Sequence, residues 1–149
     1  MQDRAELNII DAPSPNFGER VLPISMIVLH YTGMRSAEEA IERLRDPAFG
    51  VSSHYVVAED GQVVRMVPED KRAWHAGGSH WRGVTDVNSA SVGIEIVNPG
   101  HEYGYRPFPD EQIDAVIRLV ADIKERYGIT RGNVVGHSDI APARKQDPG

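Results

Sequence analysis

The chain has 149 residues and carries 16 basic against 22 acidic side chains, which gives a formal charge of −6. Hydrophobic residues make up 40% of it, an ordinary balance for a globular protein, and this length is typical of one domain. The absence of cysteine excludes disulfides, thiolate nucleophiles, thiolate zinc sites and iron–sulfur clusters. An isoelectric point near 5.5 argues against binding to a nucleic-acid backbone.

The sequence shows no segment for export or membrane insertion. Residues 1–12 include three acidic side chains and no apolar core, unlike a secretory signal. The longest apolar run, at 22–29, is far shorter than the roughly 20 residues that cross a bilayer. We therefore expect a cytoplasmic protein without a membrane-spanning segment, or a periplasmic one if a leader has been removed, and we expect a monomer.

The predicted elements begin with an irregular arm and a buried strand. Prolines and glycines mark residues 1–23 as an irregular N-terminal arm. The continuous apolar run at 24–29 is typical of a strand that is buried on both faces. Ser36 and Glu39 then fit a capping box, which predicts a helix that ends before Asp46-Pro47.

Several further strands are predicted in the middle and near the end of the chain. Asp60-Gly61 lies between two β-rich runs, 54–58 and 62–67, and this pattern predicts a hairpin. Further apolar runs predict strands at 92–97 and 134–135.

A loop and a long helix separate the last two predicted strands. Residues 98–109 are rich in proline and glycine and predict the loop, and Gly128 ends the helix that follows it. Strands and helices thus interleave, which predicts an α/β fold with a mixed central β-sheet flanked by helices, in a single domain over 1–149. The predicted apolar face of the long helix comprises Ile113, Val116, Ile117, Val120, Ile123 and Tyr127.

Two histidines stand where predicted strands run into turns. His30 follows the first buried strand, and His137 follows the last. In sheets covered by helices, ligands tend to bind outside the strand ends, so a histidine there is a candidate metal ligand or acid–base group. Each of them could equally hydrogen-bond its own turn.

Lys145 and Asp147 place a cation and a carboxylate two residues apart. In an extended backbone both side chains point to the same side. Two histidines and one carboxylate form a hydrolytic zinc set that leaves the fourth position for water, and Lys145 could stabilise negative charge on a reacting oxygen. The alternative is a solvated polar tail.

Glu95 is flanked by apolar residues inside the predicted strand 92–97. A buried carboxylate is costly unless it is paired or functional. It would suit a general base whose pKa is raised by burial. The alternative is a structural salt bridge.

Two further segments offer candidates beside these. Tyr55 and His54 are neighbours on one predicted strand, so only one of them would face a site, and a core tyrosine is the alternative for Tyr55. His54 could replace His30 as a ligand, but His30 is preferred because it lies at a strand end. Trp74 and His75 begin a glycine-rich loop that could border a substrate site. The alternative is that Trp74 only anchors this loop to the core.

Six motifs in a fixed order resemble the type-2 N-acetylmuramoyl-L-alanine amidases, which share a fold with the peptidoglycan recognition proteins. The resemblance covers roughly residues 30–149, and the segments 14–17 and 98–101 resemble the bacterial branch that includes the anhydro-muropeptide amidases. The motifs are His30-Tyr31-Thr32, Ser53-His54-Tyr55, Ala73-Trp74-His75-Ala76-Gly77, Val92-Gly93-Ile94-Glu95, Gly136-His137-Ser138-Asp139 and Arg144-Lys145-Gln146-Asp147-Pro148-Gly149.

The resemblance implies a zinc ion in a groove on one side of the sheet. By motif, the implied zinc ligands are His30, His137 and Asp147. Glu95 matches the catalytic glutamate of the family, and Lys145 matches its lysine that stabilises the oxyanion.

The resemblance also implies accessory residues. Tyr55 matches a tyrosine that assists catalysis in some phage members, and it receives the lesser catalytic role here. Trp74 and His75 match the loop that borders the substrate groove. Asn88 and Asn98 lie beside matched motifs and could contact peptide or sugar.

The implied activity is hydrolysis of the amide bond between the lactyl group of N-acetylmuramic acid and L-alanine, with peptidoglycan fragments (muropeptides) as partners. The stem peptide of that substrate is acidic, while the chain carries a charge of −6, so net charge does not steer the substrate inward. Local arginines such as Arg82 or Arg106 would have to recognise its carboxylates.

Three other interpretations stay open. The chain could be a peptidoglycan-binding module of the same fold, but its three ligand positions hold competent residues, which favours an enzyme. It could be a metal-free hydrolase built on His137-Ser138-Asp139, although adjacent residues alternate in direction. It could also be a different zinc amidase or peptidase. His80 and His101, in polar loops, are expected to be solvated.

Overall fold

The structure is a computed structural model that describes residues 8–100, 107–142, 145, 147 and 148. In this part of the chain the helices are α1 Ala37–Arg45, α2 Val87–Ala90, α3 Asp110–Tyr127 and α4 His137–Ile140. The strands are β1 Ile9–Asp11, β2 Phe17–Glu19, β3 Met26–Tyr31, β4 Tyr55–Val57, β5 Val63–Arg65, β6 Lys71–Ala73, β7 Ser91–Ile96 and β8 Val134–Gly136.

Six strands form one mixed sheet in the order β1-β5-β4-β7-β3-β8, while β2 and β6 pair with each other. Strand β3 lies between β7 and β8 and runs parallel to both. Strand β4 runs parallel to β7 and antiparallel to β5. The predicted mixed sheet flanked by helices is confirmed, and its register sets His30 directly opposite Glu95 at the same edge.

The two faces of the sheet carry separate apolar layers. Ile27 and Ile94 pack with α3 residues such as Ile123 on one face, and Met26 and Val28 pack with α4 on the other. Successive side chains of a strand point to opposite faces. His30 and Glu95 therefore share the face of Met26 and Val28.

Several local predictions are confirmed. The Ser36 hydroxyl accepts the Glu39 N–H at 3.2 Å, and α1 ends at Arg45. The hairpin forms between β4 and β5, where Gly61 has a φ of 91° and a Cβ would come 2.9 Å from the Glu111 carbonyl of α3. Gly128 ends α3 in the left-handed conformation.

Two local predictions are wrong. The N-terminal arm contains β1 and β2, so it is not irregular throughout. On α3, Ile113 and Ile117 are 38% and 60% exposed, whereas Gln112 is fully buried. The Gln112 amide donates to the carbonyls of Val57 and Val97 at 3.0 and 2.9 Å, so a polar side chain occupies part of the face that hydrophobicity alone assigns to isoleucines.

None of the helices within the described ranges combines the length and the hydropathy that a membrane crossing requires.

Candidate metal centre and active site

Three side chains from distant parts of the chain converge at the edge where β3 and β8 end. His30 lies near the end of β3, His137 is the first residue of α4, and Asp147 follows in the C-terminal segment. The two imidazole Nδ1 atoms are 3.0 Å apart, and each of them is 3.4 Å from Asp147 Oδ2. All three residues are buried. We call these residues the ligand cluster.

The C-terminal segment is held against α4 and β8. The carbonyl of Asp147 accepts the N–H of Ser138 at 2.8 Å. Pro148 lies so close to Gly136 that a Cβ on this glycine would come 2.7 Å from Pro148 Cδ. The carboxylate thus reaches the histidines because β8 ends in a residue without a side chain.

The His137 ring has one nitrogen committed to the protein. Its Nε2 lies 2.9 Å from the carbonyl of Ala76, and a carbonyl can only accept, so Nε2 carries the proton. The Nδ1 atom therefore offers a lone pair to the ligand cluster. A neutral imidazole with one free lone pair is the form in which histidine binds a metal.

The ligand cluster fits a tetrahedral metal site. Ligand atoms about 2.0–2.1 Å from a four-coordinate zinc ion lie roughly 3.3 Å from one another. The three separations in the ligand cluster, 3.0, 3.4 and 3.4 Å, bracket this value. Two nitrogens and one carboxylate oxygen at these separations could hold one divalent ion and leave a fourth position open.

The protonation states of the ligand cluster agree with this use. Burial lowers the pKa of His30 to about 4, so this ring is neutral at physiological pH. Burial alone would raise the pKa of Asp147, but its contacts with His137 and His30 hold that pKa well below the ordinary value. A neutral His30 and an ionised Asp147 are the forms in which these two side chains bind a metal.

Glu95 lies beside the ligand cluster. Its Oε2 is 3.8 Å from His30 Nδ1, and 14% of the side chain is exposed. Burial raises the pKa of Glu95 to about 8; the charge of Asp147 adds to this rise, and that of Lys145 opposes it. A carboxyl group whose pKa is raised towards neutrality can both take and return a proton.

A groove of about 290 Å³ opens above the ligand cluster. Its walls include Trp74, Lys145, Glu95 and Arg43. A separate hollow on the other side of Arg43 reaches Phe49 and is also lined by Glu39, Glu42 and Asp46. The Arg43 guanidinium carbon lies 4.5 Å from the centre of the Phe49 ring. The groove therefore combines a polar floor with a cation held over an aromatic ring.

Comparison with known proteins agrees with this geometry. The family described as N-acetylmuramoyl-L-alanine amidase (Amidase_2) matches residues 20–149. The chain belongs to this amidase family.

Among its relatives, AmiD of Escherichia coli (strain K12) is 42% identical over 138 residues, which is 85% of the chain and 49% of AmiD. The AmpD of Enterobacter cloacae, named a 1,6-anhydro-N-acetylmuramyl-L-alanine amidase, is 40% identical over 99 residues, or 66% of the chain and 51% of AmpD. The chain thus spans about half the length of these two amidases.

Solved amidase structures share the fold. An AmpD crystal structure superimposes with a TM-score of 0.84 at 30% identity, covering 95% of the chain and 88% of AmpD. E. coli AmiD, in complex with the substrate anhydro-N-acetylmuramic acid-L-Ala-D-gamma-Glu-L-Lys, gives 0.77 at 37% identity, covering 90% of the chain and 61% of AmiD. AmpDH3 from Pseudomonas aeruginosa, in complex with anhydromuramic pentapeptide, gives 0.78 at 33% identity, covering 93% and 58%.

Most residues that the amidase motifs single out lie around one groove. His30, His137 and Asp147 form its floor. The same groove is lined by Glu95, Lys145, Trp74 and His75.

Tyr55 does not lie in the groove, so the structure corrects the expectation of a catalytic role for it. It pairs with Ile94 in the register and belongs to the apolar layer on the opposite face of the sheet from His30. Its hydroxyl donates to Glu69, which also accepts from Tyr127 and Arg126. Tyr55 is thus the core tyrosine that was the alternative.

Asn88 and Asn98 are engaged with the backbone. Asn88 Oδ1 accepts the N–H groups of His75 and Ala76 at 3.0 and 2.8 Å. Asn98 is fully buried, and its Oδ1 accepts the Gly100 N–H at 2.9 Å. These contacts hold the loops beside the groove, and a contact of either asparagine with peptide or sugar stays a prediction.

His54 and the trio at 137–139 are not arranged for catalysis. His54 Nδ1 accepts the Gly93 N–H, and its Nε2 donates to the Lys71 carbonyl, so neither nitrogen is free for a metal. Asp139 accepts the Gly136 N–H at 2.8 Å instead of facing His137. His80 is exposed, as expected, and His101 lies outside the described residues.

Of the two arginines that the sequence suggested for substrate carboxylates, Arg82 does not line the groove. Arg82 lies over the Trp81 ring at 5.2 Å and donates to Asn133. Arg106 lies outside the described residues. Arg43 of α1, which the sequence did not single out, does line the groove.

Proposed function

We propose that the chain is a zinc-dependent amidase that hydrolyses the amide bond between the lactyl group of N-acetylmuramic acid and L-alanine. The observation that carries this proposal is the buried ligand cluster at the floor of a groove that Glu95 and Lys145 also line. Membership of the amidase family supports the reaction, and the ligands bound to the AmiD and AmpDH3 structures support peptidoglycan fragments as the substrate class.

In this proposal the ligand cluster holds the metal, Glu95 transfers protons, and Lys145 stabilises negative charge. A zinc ion bound by His30, His137 and Asp147 would act as a Lewis acid that lowers the pKa of a water and polarises a nearby carbonyl. Glu95, in its ionised form, takes a proton from the attacking water. Lys145 stabilises the negative charge that develops on the carbonyl oxygen.

Glu95 also completes the reaction. The water oxygen forms a bond to the carbonyl carbon, and the bond from that carbon to the alanine nitrogen breaks. Glu95 returns its proton to the alanine nitrogen, which would otherwise leave as a strongly basic amide ion. A lactyl carboxylic acid and a free amine result, and Glu95 regains its starting state.

Arg43 provides the cation that the acidic stem peptide needs. It lines the groove that begins at the ligand cluster, and its guanidinium lies over Phe49. A guanidinium can hold a carboxylate through two parallel N–H bonds, which gives both affinity and direction. We therefore assign to Arg43 a carboxylate of the peptide beyond the L-alanine.

The test measures metal content and muropeptide products by mass spectrometry. Wild type should release the peptide from N-acetylmuramic acid, lose this activity in a chelator and regain it with zinc. Glu95→Gln should keep its zinc but lose about 10²- to 10⁴-fold in rate, since only the proton transfer is removed. Full activity and full metal content in Asp147→Ala would refute the proposed site.

The same assay addresses the non-catalytic peptidoglycan-binding alternative. A binding module needs neither a complete ligand set nor a carboxylate with a raised pKa, and this chain has both. Binding of muropeptides without any cleavage by the zinc-loaded chain would establish the alternative. The cytoplasmic or periplasmic location and the monomeric state stay predictions.

A further inference from the structure

A line of buried polar atoms extends behind His30, away from the groove. His30 Nε2 lies 3.0 Å from His75 Nδ1, and His75 Nε2 lies 3.1 Å from Ser91 Oγ. The Ser91 hydroxyl in turn lies 2.6 Å from the carbonyl of Val87. His30, His75 and Ser91 are all buried, so water does not compete for these contacts.

The carbonyl at the end of this line fixes the direction of every hydrogen bond in it. The Val87 carbonyl can only accept, so Ser91 donates its single proton there. The Ser91 oxygen then accepts from His75 Nε2–H, which leaves His75 Nδ1 as an acceptor. His30 must therefore donate from Nε2, and its Nδ1 lone pair faces the ligand cluster.

The His75 ring is also fixed by packing. It lies against Gly93 of β7, where a Cβ would come 2.5 Å from the His75 Cγ atom. Its ring stands nearly perpendicular to that of His30, at 87° and 5.1 Å between centres. Its backbone N–H donates to Asn88 at 3.0 Å. The ring can neither flip nor tilt without moving the sheet.

We propose that His75 is a positioning residue that, together with Ser91, holds the His30 imidazole in the orientation and tautomer that present Nδ1 to the metal. The inference rests on the proposed metal site. Because the carbonyl of the next residue, Ala76, holds His137 at 2.9 Å, one two-residue segment positions both histidine ligands. Trp74 and His75 thus both line the groove, and His75 in addition supports the metal site.

The test compares zinc affinity, measured by competition with a chromophoric chelator, among variants of the whole chain. His75→Leu should bind zinc about 10- to 100-fold more weakly, which is the usual effect of losing a partner of a histidine ligand. His75→Gln should stay within about threefold of wild type, since its amide can accept from His30 and donate to Ser91. Ser91→Ala removes a single oxygen and should also weaken binding.

Backbone variants provide a second, independent arm. Gly93→Ala should push the His75 ring away and weaken zinc binding, whereas Gly78→Ala should not, because a Cβ there meets nothing within 4 Å. Melting of the metal-free proteins checks that each variant folds. Nitrogen-15 NMR of metal-free wild type should show His30 protonated at Nε2, and Ser91→Ala should show a mixture of tautomers.

The outcomes separate this inference from the proposed function. If His30→Ala abolishes zinc binding while His75→Leu and Ser91→Ala bind as tightly as wild type, the positioning role is wrong and the metal site stands. If wild type binds no zinc, or His30→Ala binds it normally, both proposals are wrong. Should His75→Leu fail to fold, Ser91→Ala and the NMR spectra decide.

Discussion

Acid should destabilise this fold through His54, a fully buried histidine that is separate from the ligand cluster. Its Nδ1 accepts the Gly93 N–H at 3.0 Å and its Nε2 donates to the Lys71 carbonyl at 2.8 Å, so the ring is held in its neutral form. A second proton on the ring would have to bind Nδ1, where it would point at the Gly93 N–H. The Arg20 guanidinium, 3.0 Å from Nε2, also disfavours a positive charge on the ring. Burial, aided by the charge of Arg20, lowers the pKa of His54 from 6.5 to about 4.

The sign and size of the effect follow from proton linkage. The unfolded chain binds a proton at His54 below pH 6.5 and the folded chain does so only near pH 4, so stability is lost as the pH falls between these values. At pH 4.5 the two pKa values correspond to a loss of about 2–3 kcal/mol relative to pH 7.5. This is a large share of the stability of a domain of this size.

The assay is urea denaturation with a chelator present, at pH 7.5 and pH 4.5, on wild type, His54→Gln and His80→Gln. The remaining ionisable groups are common to wild type and His54→Gln, so their contribution cancels in that comparison. His54→Gln should lose about 2–3 kcal/mol less than wild type on acidification, and His80→Gln, with an exposed histidine replaced, should follow wild type. Equal losses in wild type and His54→Gln would refute the reasoning.

Three further perturbations test other parts of the structure. Arg43→Gln should raise the KM for a muropeptide about tenfold with little change in kcat, because a charged hydrogen bond to the substrate is lost. The control is Arg45→Gln, on the same helix but outside the groove. An unchanged KM in Arg43→Gln would show that Arg43 does not bind the substrate. Gly136→Ala should displace Pro148, which lies 2.7 Å from the position of the new Cβ, and calorimetry should show weaker zinc binding than in wild type. Gln112→Ala should destabilise the fold by about 1–2 kcal/mol in urea denaturation, since the Val97 carbonyl loses the donor that Gln112 supplies, whereas the Val57 carbonyl still accepts the Val97 N–H at 3.0 Å. A change below about 0.5 kcal/mol would show that these bonds contribute little.

The sheet could be predicted because its signals are local. The apolar run before His30 and the Asp60-Gly61 turn depend on neighbouring residues alone, and the structure has a strand and a hairpin there. The face of α3 could not be predicted in the same way. Gln112 is buried, and its amide donates to two carbonyls of residues that lie 15 and 55 positions away in the sequence.

The candidate site was predicted by motif rather than by physical pattern. The distances between His30, His137 and Asp147 along the sequence do not indicate that they meet. They meet because the sheet places β3 beside β8, and this strand order is not visible in the sequence. Strand alternation correctly separates Tyr55 from its neighbour His54, yet it does not say which face carries the groove, and neither side chain reaches the ligand cluster. The supporting role of His75 depends on hydrogen-bond direction, which only coordinates reveal.

The position of β3 between β7 and β8 has a kinetic consequence. Its two partners, β7 and β8, come from much later in the chain, so β3 completes its pairing only after long loops have closed. Such long-range contacts form slowly, whereas the β4–β5 hairpin can form early from adjacent residues. The same pairings bring His30 to Glu95 and to His137. Metal capture should therefore mark the end of folding, because a partly folded chain has the hairpin but not yet the ligands.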